Sequence, residues 1–175
     1  MSLRFAALGL LAQQPGSGYD LLKRFEYSMA NVWPATQSQL YGELNKLATA
    51  GLIEVTDVGA RGRKEYGITA AGREELIRWM TDARNDPPYR SASLLRVFLL
   101  GEMPVNQARQ YMKDIAEQAD SELRRLSELR DSIDWDNTEA DFYGRAALEY
   151  GLRAEAMEAG WARWVTEEID KRSQA

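Results

Sequence analysis

The sequence predicts a mainly α-helical protein with one short β-hairpin and two domains. Three observations support this prediction. Helical apolar spacing precedes a pair of strand-like segments in the first half of the 175-residue chain. A proline pair at residues 87–88 then interrupts the pattern. In the last helix, apolar residues recur at alternating intervals of four and three residues over three heptads, which is typical of a long helix that packs lengthwise.

The first two predicted helices are separated by a tight turn. Residues 3–12 form an apolar, helix-compatible run that ends at the turn signal Gln-Gln-Pro-Gly. Ser17 is a good N-cap for the second helix, and Trp33-Pro34 ends it. The buried stripe of this helix is predicted to consist of Leu22, Phe25 and Met29.

A third helix follows directly. Thr36 can cap it, and Gly51 suits the left-handed position just after a helix. Its core face is predicted from residues that lie within roughly 60° of one another at about 100° per residue. These residues are Leu40, Leu44 and Leu47.

A β-hairpin completes the first half of the chain. Residues 52–56 have strand propensity, residues 57–62 contain two glycines at the tip, and residues 63–69 return as the second strand. Thr69 can cap a fourth helix. Three helices followed by a two-stranded hairpin, or wing, are the pattern of a winged helix-turn-helix, so we predict that fold for residues 1–86.

The second domain is predicted to span residues 89–175 and to be helical. Residues 94–100 are apolar on nearly all sides, which predicts that they are buried between other elements. Pro104 opens a long helix, and a last helix runs from about Thr138. The heptad stripe of this last helix predicts packing on another helix, within the chain or across a dimer. Its members are Tyr143, Ala147, Tyr150, Ala154, Met157, Trp161 and Trp164.

The third helix carries polar side chains opposite its leucine face. Amide and hydroxyl side chains can reach base edges in the major groove, whereas Tyr and Lys can bond phosphate oxygens. Gly42 costs a helix about 1 kcal/mol relative to Ala, which is understandable if something must approach the backbone closely. The alternative is a solvated helix face that carries amides. The candidate DNA-binding residues here are Thr36, Gln37, Ser38, Gln39, Tyr41, Asn45 and Lys46.

The predicted wing is basic. Arg61, Arg63 and Lys64 put three positive charges at and beside the glycine-containing tip, where a wing meets the phosphate backbone or the adjacent minor groove. Each phosphate neutralised should contribute roughly 0.9 to the slope of log affinity against log salt. The alternative is a charged tip that keeps an edge hairpin soluble.

Several motifs, in order along residues 3–80, resemble those of the PadR family of transcriptional regulators. They are Leu8-Gly9-Leu10-Leu11, Gly18-Tyr19-Asp20-Leu21, Leu40-Tyr41, Gly51-Leu52-Ile53 and Lys64-Glu65-Tyr66-Gly67-Ile68-Thr69-Ala70-Ala71-Gly72. The resemblance implies that Tyr41 and the basic wing occupy positions that this family uses on DNA. Two features depart from the family pattern: Gly42 stands where a larger, often basic residue is common, and residues 31–39 are not rich in Lys or Arg.

The C-terminal half is similar to the longer subgroup of PadR-like proteins, in which two long helices build most of the dimer. This similarity implies a homodimer that presents two recognition helices to a two-fold symmetric, inverted-repeat operator. Half-sites would then lie about one helical turn apart, roughly 34–36 Å. We expect a repressor that acts by occupying promoter DNA.

Aromatic residues in the C-terminal half raise the possibility of an effector site. Regulators that resemble this chain commonly sense flat, apolar or phenolic compounds, so a small aromatic or apolar effector is a candidate partner. The alternative is that the same side chains pack the dimer, because an aromatic stripe at helical spacing is usually core. The candidate ligand-binding residues are Phe98, Tyr150, Met157, Trp161 and Trp164.

Composition excludes most other classes of function. The chain has no His and no Cys, so it lacks the commonest general base, the commonest activated nucleophile and any disulfide. We therefore predict no enzymatic activity, no cofactor and no metal site. The longest apolar run near the start is too short to cross a bilayer, so we expect a soluble, cytoplasmic protein with no membrane partner.

Charge leaves one rival hypothesis open. Residues 1–90 carry 11 basic and 10 acidic side chains, whereas the other 85 residues carry 11 basic and 17 acidic side chains. The formal net charge of the whole chain is −5. Overall charge therefore does not attract nucleic acid, and any DNA binding must be local. The alternative function is a winged-helix module that binds protein without binding DNA, because fold does not fix function.

Overall fold

The computed structural model describes residues 2–29, 32–58, 63–82, 90–136 and 138–174. The chain divides into two compact units, Met1–Pro88 and Tyr89–Ala175. The domain boundary that the sequence predicts, between residues 86 and 89, lies outside the described residues. No helix in the described ranges is both long and apolar enough to cross a membrane.

Side-chain caps begin the second and third helices of the N-terminal unit. The first helix, α1, spans Ser2–Gln13, and α2 spans Gly18–Ser28. Ser17 caps α2, and the side chain of Asp20 bonds back to the Ser17 backbone to complete a capping box. Thr36 and Gln39 form the same arrangement at the start of α3, Gln37–Thr49. These local bonds fix where α2 and α3 begin.

The sheet contains one strand more than the predicted hairpin. β1 is Gly16–Ser17, β2 is Ile53–Val58 and β3 is Lys64–Ile68. The strand order is β1-β3-β2, with both pairs antiparallel. The predicted wing is confirmed as β2 and β3, and its inner strand is flanked on both sides because the two residues of β1 pair with it.

Leucine packing holds this unit together. The unbroken core joins α1, α2, α3 and the start of β2. Gly51 takes a φ of 69° after α3, as predicted, which lets the chain turn directly into β2. The fourth helix, α4, spans Ala70–Thr81, and its Trp79 stacks on Phe5 of α1 with ring centroids 4.5 Å apart. The fully buried leucines are Leu8, Leu10, Leu11, Leu21, Leu40, Leu44 and Leu47.

The C-terminal unit is dominated by two long helices. Helix α5 spans Ala92–Phe98 and leads through a 3₁₀ turn, Leu100–Glu102, to α6, Val105–Ser132. Helix α7 spans Glu139–Gln174 and packs along α6. Ion pairs join the two helices in antiparallel order, from Arg109 to Asp170 and from Asp120 to Arg163. The buried contacts between them include Met112, Ala116, Leu126, Leu152, Ala159 and Ala162.

The single chain contradicts the burial predicted for residues 94–100, and it leaves the heptad stripe of α7 to the dimer alternative. Helix α5 has no buried residue, and Phe98 on it is 86% exposed. The face of α7 that packs on α6 is built mainly from small residues and Leu152, and Trp161 is the large member of the predicted heptad stripe that packs there. Five members of that stripe are instead exposed, namely Tyr143, Ala147, Tyr150, Met157 and Trp164.

Candidate nucleic-acid interface

The outward face of α3 is polar and exposed, as the sequence predicts. Ser38 and Asn45 lie on this face with Lys46 at its edge, and the side chains of all three are open to solvent. Gln37 is also exposed, but it lies in the first turn of α3 and nearer the leucine face. Nζ of Lys46 is 3.2 Å from Oε2 of Glu43 on the same helix, and the Lys46 side chain is 75% exposed, so its ammonium group can also meet a phosphate. The face can therefore offer amide and hydroxyl groups to base edges.

Thr36 and Gln39, which the sequence predicts as DNA-binding residues, bond to each other and cap the start of α3. The Thr36 amide donates to Oε1 of Gln39 at 2.8 Å, and the Gln39 amide donates to Oγ1 of Thr36 at 3.3 Å. Both side chains are exposed, but the bond from the Thr36 amide occupies Oε1, the side-chain oxygen of Gln39. The amide NH₂ group of Gln39 is the part of this side chain that remains available to a base.

An open cavity of about 390 Å³ lies beside α3. Tyr41 contributes to its wall from α3, and the start of α2 and the inner strand of the wing contribute the rest. The sequence predicted Tyr41, Arg63 and Lys64 as DNA-binding residues, and the fold brings all three to this cavity. Its walls also contain Ser17, Gly18, Tyr19 and Tyr66, whose place beside Tyr41 no local sequence pattern indicates.

Asp20 links the start of α2 to the wing. Its Oδ2 accepts hydrogen bonds from the Ser17 hydroxyl at 2.6 Å and the Ser17 amide at 3.0 Å. The same oxygen lies 2.5 Å from Nη2 of Arg63. The bonds from Ser17, and then Arg63, hold the pKa of Asp20 below its ordinary value, although partial burial acts in the opposite direction. Asp20 is therefore an ionised carboxylate at neutral pH.

Lys64 and Arg61 are the other two basic residues that the sequence predicts on the wing. Lys64 is exposed and forms no ion pair within the described ranges, so its ammonium group is free to meet an anion. Arg61, the third predicted basic residue, lies outside the described residues. Tyr66 lies on the same strand as Lys64 and lines the cavity.

The five candidate effector residues are not gathered into one cavity. Phe98 and Tyr150 are 86% and 77% exposed, and Met157 is also exposed. Trp161 packs against the core of the C-terminal unit. Trp164 borders a shallow depression of about 200 Å³ together with Val165, Glu168, Ile169 and Arg172. The effector site stays a prediction, and within this unit the five side chains do not enclose a ligand.

Acidic groups in the part of the chain that the structure describes form no cluster able to hold a metal ion. The visible chemistry of the N-terminal unit is instead a polar helix face beside a cavity lined by tyrosine and cationic side chains. This combination can bind a polyanion whose backbone is charged and whose polar groups are presented at regular intervals, such as a nucleic acid.

Two family models together match most of the chain. The model described as the transcriptional regulator PadR-like family matches residues 7–78. The model described as virulence activator alpha C-term matches residues 89–170.

One curated relative aligns along nearly the whole length of both proteins. The chain is 28% identical to the negative transcriptional regulator PadR of Bacillus subtilis over 181 residues, which cover 97% of this chain and 98% of the relative. The crystal structure of B. subtilis PadR in complex with operator DNA matches with a TM-score of 0.81 at 25% identity. The structure of the same protein with p-coumaric acid matches with a TM-score of 0.83 at 26% identity. Each of the two matches covers 97% of this chain and 99% of the B. subtilis chain. The matched proteins are transcriptional regulators, which agrees with the prediction that the chain is not an enzyme.

Proposed function

Because this chain belongs to the PadR-like family of transcriptional regulators, we propose that it binds operator DNA as a homodimer and represses transcription. The observation that carries the proposal is the polar face of α3 beside the cavity lined by Tyr41, Arg63 and Lys64. The N-terminal unit is the DNA-binding domain and the C-terminal unit is the dimerisation domain.

The two parts of the interface have different tasks in this proposal. Helix α3 enters the major groove, where Ser38 and Asn45 read base edges and amides favour adenine. Tyr41, Arg63 and Lys64 bond the phosphate backbone and fix the register of α3, with Arg61 adding charge at the tip. Lys46, at the edge of this face, and Gln37, exposed in the first turn of α3, add polar contacts at the two ends of the helix. Sequence discrimination therefore comes from α3, and the salt dependence of binding comes from the wing.

Exposed apolar surface on the C-terminal unit supports the homodimer. Tyr143, Tyr150, Met157 and Trp164 recur every seven residues along α7 and are each more than half exposed. A stripe of this size rarely stays in water in a soluble monomer. A second copy of the chain that packs along the stripe would cover it and would give the two-fold symmetry that an inverted repeat requires.

Repression follows from occupancy of the promoter. The negative sign of regulation is supported by the B. subtilis relative, which is a negative transcriptional regulator. Since that relative is also known with p-coumaric acid, we propose a small aromatic effector for this chain too. Such an effector relieves repression only if it binds better to a dimer whose two α3 helices fail to match both half-sites. The regulator acts in the cytoplasm, where promoter DNA is accessible.

Fluorescence anisotropy tests the proposal directly. The wild-type protein is titrated onto the duplex that lies upstream of its own coding region and onto a scrambled duplex of equal length, at several salt concentrations. We expect tighter binding to the upstream duplex and a steep loss of affinity with salt. Asn45→Ala should reduce the preference for the upstream duplex, whereas Arg63→Gln should weaken both complexes and flatten the salt slope.

Arg78→Gln is the matched control for the wing variant. Arg78 lies on α4 and pairs with Glu75, so its loss removes the same charge from outside the proposed interface. Arg78→Gln should therefore bind both duplexes like wild type. Failure of wild type to bind either duplex at low salt would contradict the DNA-binding function and would favour a winged-helix module that binds protein.

A further inference from the structure

Asp20 is a carboxylate on a surface that must meet a polyanion. Its negative charge lies 2.5 Å from Arg63, and by Coulomb's law alone it would repel a phosphate at the same place. Removal of such a carboxylate should then improve binding. If its removal instead weakens binding, the carboxylate must have an effect on Arg63 that outweighs the repulsion.

The carboxylate is fixed independently of the wing. Two of the three hydrogen bonds on Oδ2 come from Ser17, three residues earlier on the chain, and belong to the capping box of α2. Because this cap is local, Asp20 has its orientation whether or not Arg63 is present. Arg63, 43 residues later, then bonds to an acceptor that is already in place.

The guanidinium keeps donors for a second anion. An arginine has five N–H donors in a planar fork, and Asp20 bonds to Nη2 alone. The Arg63 side chain is 54% exposed, and it lines the cavity between α2, Tyr41 and β3. Asp20 is not among the described residues that line this cavity. Asp20 therefore leaves the other N–H groups of Arg63 available, on a side chain that lines the cavity.

Resting on the proposed DNA-binding function, we propose that Asp20 is a positioning residue that orients Arg63 to bind a backbone phosphate of operator DNA in this cavity. Asp20 itself does not contact the DNA. Its action is to restrict the rotamers of Arg63, so that less conformational entropy is lost when the phosphate arrives.

The variant Asp20→Asn separates this effect from simple repulsion. Asparagine keeps an oxygen for the Ser17 bonds, but its amide offers no negative charge to Arg63. The matched control is Asp57→Asn, which removes one exposed carboxylate from β2 without touching Arg63. We expect Asp57→Asn to bind the upstream duplex as well as or better than wild type, and Asp20→Asn to bind it about tenfold more weakly.

A double-mutant cycle distinguishes positioning from a general effect on folding. If Asp20 acts through Arg63, Asp20→Asn should weaken binding in the wild-type background but not further in Arg63→Gln. Its salt slope should also fall towards that of Arg63→Gln. Affinity of Asp20→Asn at or above wild type would overturn the proposal. An equal loss in the Arg63→Gln background would also overturn it, because the effect would then pass through α2 and not through Arg63.

Arginine side-chain NMR supplies a readout that does not need DNA. In the free protein, the Arg63 guanidinium should exchange and rotate more slowly in wild type and Asp57→Asn than in Asp20→Asn. Equal mobility in all three would overturn the positioning role. If wild type binds no duplex at all, the proposed function fails and this inference fails with it. If wild type binds and only the Asp20 predictions fail, the regulator function stands without them.

Discussion

Gly18, the first residue of α2, lies against the ring of Tyr41. A β-carbon at residue 18 would be 2.5 Å from Cε1 of the tyrosine, closer than real side chains approach. Tyr41 therefore has its place beside the cavity because residue 18 has no side chain. A backbone position on α2 thus determines where an aromatic side chain of α3 stands.

Gly18→Ala should weaken DNA binding without unfolding the protein. The added methyl group forces the Tyr41 ring to move, and the phosphate contact proposed for its hydroxyl is lost, which should cost about tenfold in affinity. Fluorescence anisotropy with the upstream duplex measures the loss. Gly9→Ala on α1 is the control, because a β-carbon there meets no described atom within 4 Å. Equal affinity of the two variants would contradict the proposed role of Tyr41.

Gly42→Ala should stabilise the fold and impair the function. No described atom lies within 4 Å of a β-carbon built at Gly42, so nothing in the chain itself requires glycine there. Alanine in a helix interior is more favourable by about 0.5–1 kcal/mol, which chemical denaturation should detect. If DNA approaches the α3 backbone at this point, the methyl group should also reduce affinity for the upstream duplex. Gly9→Ala should give the gain in stability alone, and unchanged DNA affinity of Gly42→Ala would remove the reason proposed for this glycine.

Tyr150→Glu should dissociate the homodimer. Tyr150 is 77% exposed in the single chain and lies in the middle of the apolar stripe of α7. A charge buried in an interface there is costly unless it finds a partner. Sedimentation velocity should show a shift from dimer to monomer, while circular dichroism remains helical. Ala156→Glu adds the same charge to another exposed face of α7 and should leave the dimer intact. A dimer that survives Tyr150→Glu would place the interface elsewhere.

Glu155→Gln should stabilise the protein at neutral pH. Burial of Glu155, and then its neighbours Glu158 and Glu122, raise the pKa of this carboxyl above its ordinary value of 4.5, although Arg125 opposes the shift. The folded state thus holds the proton more tightly than the unfolded chain does. Below the ordinary pKa, Glu155 makes no unfavourable contribution. As pH rises through the raised pKa, ionisation becomes a penalty that persists at neutral pH.

Chemical denaturation at two pH values tests this prediction. The gain in stability from Glu155→Gln should be present at pH ~7 and should shrink towards zero below pH ~4.5. At that pH the carboxyl group of Glu155 is protonated, so it is as neutral as the glutamine that replaces it. Glu128→Gln, at an exposed position on α6, is the control and should change stability little at either pH. A gain that is independent of pH would show that ionisation is not the cause.

The sequence predicts the parts of the fold that depend on local chemistry. Ser17, Thr36 and Thr69 were predicted as caps, and each accepts a hydrogen bond from the backbone amide three residues later. Gly51 was predicted at a left-handed position and occupies one. The family resemblance is confirmed as well. By contrast, β1 has two residues, too few for any periodicity to reveal it.

Relationships between distant residues could not be predicted in the same way. The heptad stripe of α7 indicates that this face needs a partner, but a period does not say which helix supplies it. Within the chain, α6 instead packs on the small residues Ala159 and Ala162. The polar face of α3 was predicted because it follows from helical spacing. The Asp20–Arg63 ion pair joins residues 43 positions apart, and no pattern within either segment contains it.

The central place of β3 in the sheet has a consequence for evolution. Lys64, at the start of this strand, is held by pairing with Val58 of β2, and further along β3 Glu65 and Tyr66 pair with Ser17 and Gly16. The stretch between Val58 and Arg63 can therefore gain or lose residues without shifting the strand that carries Lys64. Descendants of this sequence could vary the reach of the wing while the contacts at its base stay in register.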